Sequence, residues 1–338
     1  MNRSRFNDEP ELTGMMTSRR EMLRHAVASV AALALPLPLS ACRGAPPEAD
    51  PDALPRTGPS EAIAYDPPQR EDMERFGRWV ATLRQEGMAS RNIPLGRAAA
   101  RVGELAIGTP YEAFTLEAYL RAGGSPMRTE PLYLSLTRFD CVSLVESCLA
   151  VARVARMEGD ATWEQFAREM ERMRYRSGVR AGYTSRLHYF SEWLGDGQRR
   201  GLVRELGPDL NARPDDRPLR FMSEHPDSYP ALAERSVLEE IVEMERRLDG
   251  TPRLVVPTAG IPVADPQIQT GDILAFATGI DGLDVTHAAF AYRDQGGVLR
   301  VLHAPLSGGV VEITRSTLPQ YVAAIRRSTG VLIARPLG

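Results

Sequence analysis

Cysteine is scarce in this chain: there are three in 338 residues, at positions 42, 141 and 148. So few thiols exclude a disulfide framework, and without a Cys-x-x-Cys pair they make a poor zinc site. Cys141 and Cys148 lie seven residues apart. If that segment is helical they are about 10 Å apart along the axis, too far for a disulfide. Positive charge is not in excess either. The formal net charge is -3, with both signs mixed along the chain, so no nucleic-acid partner is expected. A long apolar run is also missing. The stretch from Ala26 to Leu39 holds 14 residues, broken by Pro36 and Pro38, against the roughly 20 that a membrane-spanning helix needs.

That short stretch instead has the setting of an export signal. Arg19-Arg20 precede it, as in a twin-arginine signal, and it ends in Leu39-Ser40-Ala41-Cys42, which is similar to a bacterial lipobox. Residues 1–42 are therefore expected to be a lipoprotein signal peptide, with Cys42 acylated and the protein tethered to a membrane rather than threaded through it. Residues 43–70 carry seven prolines and read as an extended linker. The folded domain is expected over 71–338.

Within it, Met73, Phe76, Trp79, Val80 and Leu83 fall on one helical face. Further helices are predicted over Gly96–Leu105, over Cys141–Arg156 behind an Asp140 N-cap, after the Thr162-x-x-Gln165 capping box, and after a second box at Ser236-x-x-Glu239. Past Thr251 the pattern shifts to short apolar runs of period two. Strands are predicted at Ile273–Ala277, Val285–Tyr292, Val298–Ala304, Val310–Thr314 and Val331–Arg335, with a hairpin turn at Asp294–Gly297. Helices first and strands afterwards give an α+β class, with N-terminal helices packed on a C-terminal antiparallel sheet.

The chemistry centres on Cys141. A thiol at a helix start meets the positive end of the helix dipole, which favours the nucleophilic thiolate. The bland alternative is a small buried hydrophobe, the reading given to Cys148. A nucleophilic thiol needs a base. His287 and His303 stand on neighbouring predicted strands, on either side of the hairpin turn. Val285, His287, Ala289 and Ala291 are expected to share a face, and both imidazoles to point to the face on which the cysteine helix packs. One would take the thiol proton and the other would orient it. Tyr111, in the Gly108-Thr109-Pro110-Tyr111 turn, suits an oxyanion or substrate contact. The aromatic segment Arg186–Trp193 reads either as a groove lining or as a surface helix with core aromatics. Zinc hydrolysis through His188, His287 and His303 has no His-x-x-x-His spacing behind it.

With these residues in view, the sequence resembles the NlpC-type bacterial cell-wall hydrolases. Gly108-Thr109-Pro110-Tyr111 is similar to their Gly-x-Pro-Tyr turn, Phe139-Asp140-Cys141 to their nucleophile, Thr286-His287 to their catalytic histidine, and His303 to their third, polar member. The nearer likeness is to the N-acetylmuramoyl-L-alanine amidase-like branch, carried by Thr115-Leu116-Glu117, Phe139–Glu146, Leu187-His188-Tyr189, Gly282–His287 and Leu302-His303-Ala304. The resemblance implies a papain-like cysteine hydrolase with Cys141, His287, His303 and Tyr111 at its centre. It further implies that Asp140, Ser143, Glu146, His188, Tyr189 and Asp284 surround the substrate, and that neither cofactor nor metal is needed. The implied reaction cuts the amide between the muramic acid lactyl group and L-alanine, with a preference for anhydro ends. Where endopeptidase members have Asp-Cys-Ser-Gly, this chain has Asp140-Cys141-Val142-Ser143, which favours the amidase branch. A D-glutamyl-diaminopimelate endopeptidase and a non-catalytic peptidoglycan-binding lipoprotein stay as alternatives.

Overall fold

The computed structural model describes residues 68–306 and 309–338. The expected signal peptide, its Cys42 and the linker up to residue 67 lie outside the described residues. The last linker position, Arg70, already opens the first helix.

Helix α1 (Arg70–Gln85) buries Phe76, Trp79, Val80 and Leu83 as their spacing predicts, while Met73 at the end of that stripe is 42% exposed. Helix α2 (Leu95–Leu105) carries alanines and glycines on its inner side, so its backbone comes close to its neighbours. A Cβ on Gly103 would meet the Leu302 side chain at 2.5 Å. Helix α3 (Cys141–Ala155) was expected to be amphipathic, yet from Ser143 to Ala155 only Arg153 escapes full burial. The cause is tertiary: α1, α2, α4 (Trp163–Arg174) and the sheet pack around it. Phe76 of α1 meets Trp163 and Phe166 of α4 at 5.7 Å between ring centres in each case, joining the two outer helices over α3. Each such buried aromatic stabilises the fold by about 1.5–3 kcal/mol. The Thr162/Gln165 capping box forms as expected.

Among the described residues, three more helices of seven residues or longer follow: α5 (Phe190–Arg199), α6 (Arg235–Leu248) and α7 (Leu318–Ala324). The Ser236 capping box does not form. Helix α6 starts one residue earlier behind Glu234, Ser236 turns to Met127 and Glu234, and Glu239 pairs with Arg235 instead. Helix α6 packs on the 219–232 segment through Val237, Ile241 and Met244, forming a separate small core with Tyr183 and Tyr189.

The strands are β1 (Val203–Glu205), β2 (Arg213–Asp215), β3 (Arg253–Pro257), β4 (Ile273–Thr278), β5 (Val285–Arg293), β6 (Leu299–His303), β7 (Glu312–Ile313) and β8 (Ser328–Pro336). They form one sheet in the order β2-β3-β8-β4-β5-β6-β7, with β1 also on β8, and every pairing is antiparallel. Strands β1 to β3 were not foreseen. The first two have three residues each, too few to show a period, and exist because β8 and β3 pair with them. Pro214 is tolerated because β2 is an edge strand.

Alternation gives the sheet two different faces. Ala275, Ala288, Phe290, Leu302 and Leu332 join the core of α2 and α3. Phe276, Ala289, Ala291, Val301 and Ile333 join a second core with Leu318, Tyr321 and Val322 of α7. In β5 the pairing slips at one point: Phe276 faces His287, but Ala277 faces Val285. Thr286 is thus an extra residue, a β-bulge. It separates Val285, which lies in the α3 core, from His287, which sits with the opposite face.

Candidate active site

Cys141 is the first residue of α3 and half-buried. Its position is fixed by a reciprocal cap: the Ser143 backbone N–H donates to Asp140 Oδ1 at 2.7 Å, and the Asp140 N–H to Ser143 Oγ at 2.9 Å. Just upstream, Phe139 is fully buried and pairs with the Gly108–Tyr111 turn. Its N–H donates to Pro110 O and its carbonyl accepts from Glu112 N–H. Tyr111 bridges Phe139 in parallel fashion, and its own N–H donates to Gly309 O at 2.8 Å. The turn therefore ties the helix start to the segment that leads into β7, and it keeps Tyr111 two residues away in register from the thiol. Arg75 of α1 holds the same turn through Thr109 Oγ1 and Leu136 O. Cys141 and Cys148 are not joined in a disulfide. Burial pushes the Cys148 thiol well above its usual range, which leaves it an unreactive core group.

The two histidines meet. His287 Nε2 stands 2.9 Å from His303 Nδ1, with ring centres 5.1 Å apart at 72°. His287 is stacked on Phe276 at 5.6 Å and 14°. His303 is 1% exposed and lies edge-on to Tyr321 at 5.1 Å, whose hydroxyl is 3.3 Å from the same Nδ1. Both imidazoles thus belong to the Phe276–Tyr321 side of the sheet. This corrects the expectation that they point to the face on which the cysteine helix packs. Val285, expected on the imidazole face, is moved off it by the bulge. The thiol belongs to the end of α3, not to its packed flank. Its charge reaches Tyr321, whose phenol is pushed up first by burial and then by Cys141 and Glu312.

The hydrogen-bond pattern has one arrangement that leaves a base for a thiol. If His287 donates Nε2–H to His303 Nδ1, the Nδ1 of His287 keeps its lone pair. His303 then carries its proton on Nε2, which faces Glu312 Oε1 at 3.6 Å. Glu312 and Tyr321 were not foreseen: β7 has only two residues, and α7 is signalled only by the Thr317-x-x-Gln320 capping box.

The residues expected around the substrate have other partners here. Asp140 and Ser143 are engaged with each other in the cap. Glu146 is 1% exposed and accepts from Arg174 Nε at 2.8 Å and from Trp193 Nε1 at 3.2 Å. Burial raises its carboxyl against the pull of Arg174, so it is a core ion pair behind the helix. Asp284 is buried and accepts the backbone N–H groups of Ser191 and Val285, tying α5 to the bulge. The Tyr189 hydroxyl donates to Glu245 at 2.7 Å inside the small core. His188 lies against Tyr183, with ring centres 4.4 Å apart and Nε2 2.9 Å from Tyr183 O. Burial and then Arg186 hold its imidazole well below the ordinary range. The hydrogen bonds that these residues make here run within the scaffold. Phe190 and Trp193 stack at 5.1 Å within the core, so the end of the aromatic segment opens a buried helix. Among the described residues no group of three or more His, Cys, Asp and Glu is arranged to hold a metal ion.

A family model described as AmiA-like, N-acetylmuramoyl-L-alanine amidase-like, matches residues 101–330. Among solved structures, an N-acetylmuramoyl-L-alanine amidase from Bacteroides uniformis is 30% identical, with a TM-score of 0.65, over 72% of this chain and 99% of that one. A putative xylanase from Bacteroides fragilis is 32% identical, with a TM-score of 0.62, over 69% of this chain and 98% of its own. A Legionella pneumophila protein with 18% identity and a TM-score of 0.56 shares the fold. No curated protein matches the chain.

Proposed function

The chain belongs to the N-acetylmuramoyl-L-alanine amidase-like family, and from that premise we propose a peptidoglycan amidase in which Cys141 is the nucleophile, His287 its base and His303 the group that orients the base. The observation that carries this reading is the 2.9 Å contact between His287 Nε2 and His303 Nδ1, which, with His287 as its donor, makes His287 Nδ1 the basic nitrogen of the ring. In the proposed reaction the Cys141 thiolate attacks the lactyl carbonyl carbon of N-acetylmuramic acid. Negative charge develops on the carbonyl oxygen beside the first turn of α3, where backbone N–H groups and the helix dipole favour it, with Tyr111 adjacent. The tetrahedral centre collapses as protonated His287 gives its proton to the departing amine of L-alanine. Water, deprotonated by His287, then hydrolyses the thioester. No step calls for a cofactor. A preference for 1,6-anhydro ends is part of the proposal, resting on the family resemblance alone. Glycosidic cleavage of the xylanase kind works through two carboxylates, whereas the proposed reaction uses a thiol and two imidazoles.

The proposal extends to location. The paired arginines, the short apolar run and the Leu39–Cys42 sequence support an exported protein, lipid-anchored through Cys42 at the periplasmic face of the outer membrane. Arg43 stands where inner-membrane retention is associated with aspartate. The linker of residues 43–70 and a single catalytic domain complete the arrangement.

The test is mass spectrometry of defined muropeptides, with and without the anhydro end, incubated with the purified full chain and with its Cys141→Ala variant. Release of the L-alanyl peptide by the wild type alone is the expected result. Cleavage inside the stem peptide by the wild type replaces the amidase reading with the endopeptidase one. Binding without cleavage by both proteins leaves a peptidoglycan-binding lipoprotein.

A further inference from the structure

Among the described residues, the buried end of the histidine pair has one ionic neighbour close by. His303 Nε2 is buried, and among the described residues it has no hydrogen-bond partner. A buried imidazole nitrogen in that state is costly. The group facing it is Glu312 Oε1, at 3.6 Å. At that separation the contact is ionic, and less than an ångström of side-chain motion makes it a hydrogen bond. Glu312 and His303 are direct cross-strand partners of β7 and β6, so their side chains rise from the same face. The carboxylate is half-exposed and the imidazole is not, so Glu312 forms the solvent side of the pair. The contact is felt by both groups: His303 is the main cause that holds the Glu312 carboxyl below its ordinary range.

We infer that Glu312 is a positioning residue, which together with Tyr321 selects the one tautomer of His303 that makes His287 a base toward Cys141. The inference rests on the nucleophile reading above and extends it. The argument turns on which nitrogen of His303 carries the proton. A carboxylate facing Nε2 draws the proton there, and Nδ1 is then an acceptor. Tyr321 acts in the same sense from the other side. Its hydroxyl stays protonated in its buried setting and lies 3.3 Å from Nδ1, where with Nδ1 unprotonated it shares the lone pair with the nearer His287 Nε2–H. With Nδ1 an acceptor, His287 must present Nε2–H to it, and its own Nδ1 lone pair faces outward. The reverse tautomer reverses every role: His303 Nδ1–H would donate to His287 Nε2, His287 would carry its proton on Nδ1, and no base would face the thiol. Once His287 has taken the thiol proton, the Glu312 charge, relayed through His303, also favours the imidazolium. The titratable and charged groups facing this chain are Cys141 from α3, His287 from β5, Tyr321 from α7, and Arg315, whose charge acts on Glu312.

The experiment follows the rate at which iodoacetamide alkylates Cys141 between pH 4 and pH 10, read on the Cys141 peptide by mass spectrometry. It compares the full chain with its Glu312→Gln and Tyr321→Phe variants. Glutamine keeps the size of the side chain and an acceptor oxygen but loses the charge. Removing the charge makes the imidazolium less favourable, so the thiolate forms at higher pH. The expected result is an upward move of the lower limb by about one pH unit in Glu312→Gln, which slows alkylation at pH 6 about tenfold. Turnover of muropeptide should fall with KM unchanged, and Tyr321→Phe should fall in the same direction. An unchanged alkylation profile in Glu312→Gln overturns the inference, as does a wild-type Cys141 that alkylates like an ordinary thiol. A merely structural role would lower the melting temperature and leave the pH profile where it was. The alkylation readout needs no substrate. Muropeptide cleavage that survives Cys141→Ala would therefore strike the nucleophile reading separately, while a lost cleavage with an unmoved Glu312→Gln profile strikes only the role of Glu312.

Discussion

Phe276 and His287 face each other across β4 and β5 with their rings nearly parallel, 14° and 5.6 Å apart. Alternation along β5 puts them there, in step with Ala289 and Ala291 on the Phe276 face, and the bulge at Thr286 shifts only Val285 to the α3 side. One side of the imidazole is therefore held by an aromatic wall, and its Nε2 is held by His303. A ring fixed at two points keeps its other nitrogen in one direction. Phe276→Leu should leave the protein folded but loosen that direction. The expected loss is about ten- to a hundredfold in kcat with little change in KM, measured by steady-state release of L-alanyl peptide. An unchanged kcat would show that the wall does not position the base.

Removing the base itself is a harsher change. His287→Ala should lower kcat by about 10²–10⁴-fold. His303→Phe should also act chiefly on kcat, because it leaves His287 Nε2 without its acceptor. Circular dichroism of each variant separates lost chemistry from lost structure. Equal activity of wild type and His303→Phe would remove His303 from the mechanism.

Glu146 and Arg174 carry a different prediction, for stability. Both are almost fully buried, 2.8 Å apart, with Trp193 and Tyr133 O completing their hydrogen bonds. Glu146→Ala leaves an uncompensated guanidinium in the core and should cost about 3–5 kcal/mol, lowering Tm by about 10 °C. Replacing both residues by methionine should recover much of that loss. A single variant that melts like the wild type would mean the pair is not closed in solution.

His188 predicts how stability depends on pH. In the folded protein burial and Arg186 hold its imidazole well below the ordinary range, whereas in the unfolded chain it takes a proton near pH 6.5. Below about pH 6.5 the unfolded state binds more protons, so stability falls as the pH drops from there. His188→Gln should flatten that fall. Thermal melts between pH 5 and pH 8 decide it, and parallel curves for the two proteins would sink the assignment.

The proposed lipid anchor is testable apart from catalysis. Cys42→Ala should move the exported protein from the membrane fraction to the soluble fraction on cell fractionation, with amidase activity unchanged in solution. Retention of the variant on membranes would refute anchoring through Cys42.

Much of this protein is written in short-range pattern. The apolar spacing and caps at Asp140 and Thr162 mark helices that form as expected, since a cap and a stripe are local properties of the chain. The hairpin at Asp294–Gly297 is equally local: the Asp294 side chain accepts from Gly296 and Val298, and Gly297 takes a positive φ of 79°. Cys141, His287 and His303 are legible because few residue types do their chemistry, and each stands at a marked place on its element. The sequence leaves open which face of the sheet the histidines occupy, because both faces are apolar and alternation alone does not say which one α3 covers; nor does it show the bulge that moves Val285 off their face. Nor does it single out Glu312 and Tyr321, which meet His303 from a two-residue strand and a short helix. Glu146, Tyr189 and Asp284 make the converse case: they read as site residues, yet their carboxylates and hydroxyl are used inside the protein. Side-chain partners are chosen by packing between distant segments, and that choice belongs to the tertiary structure.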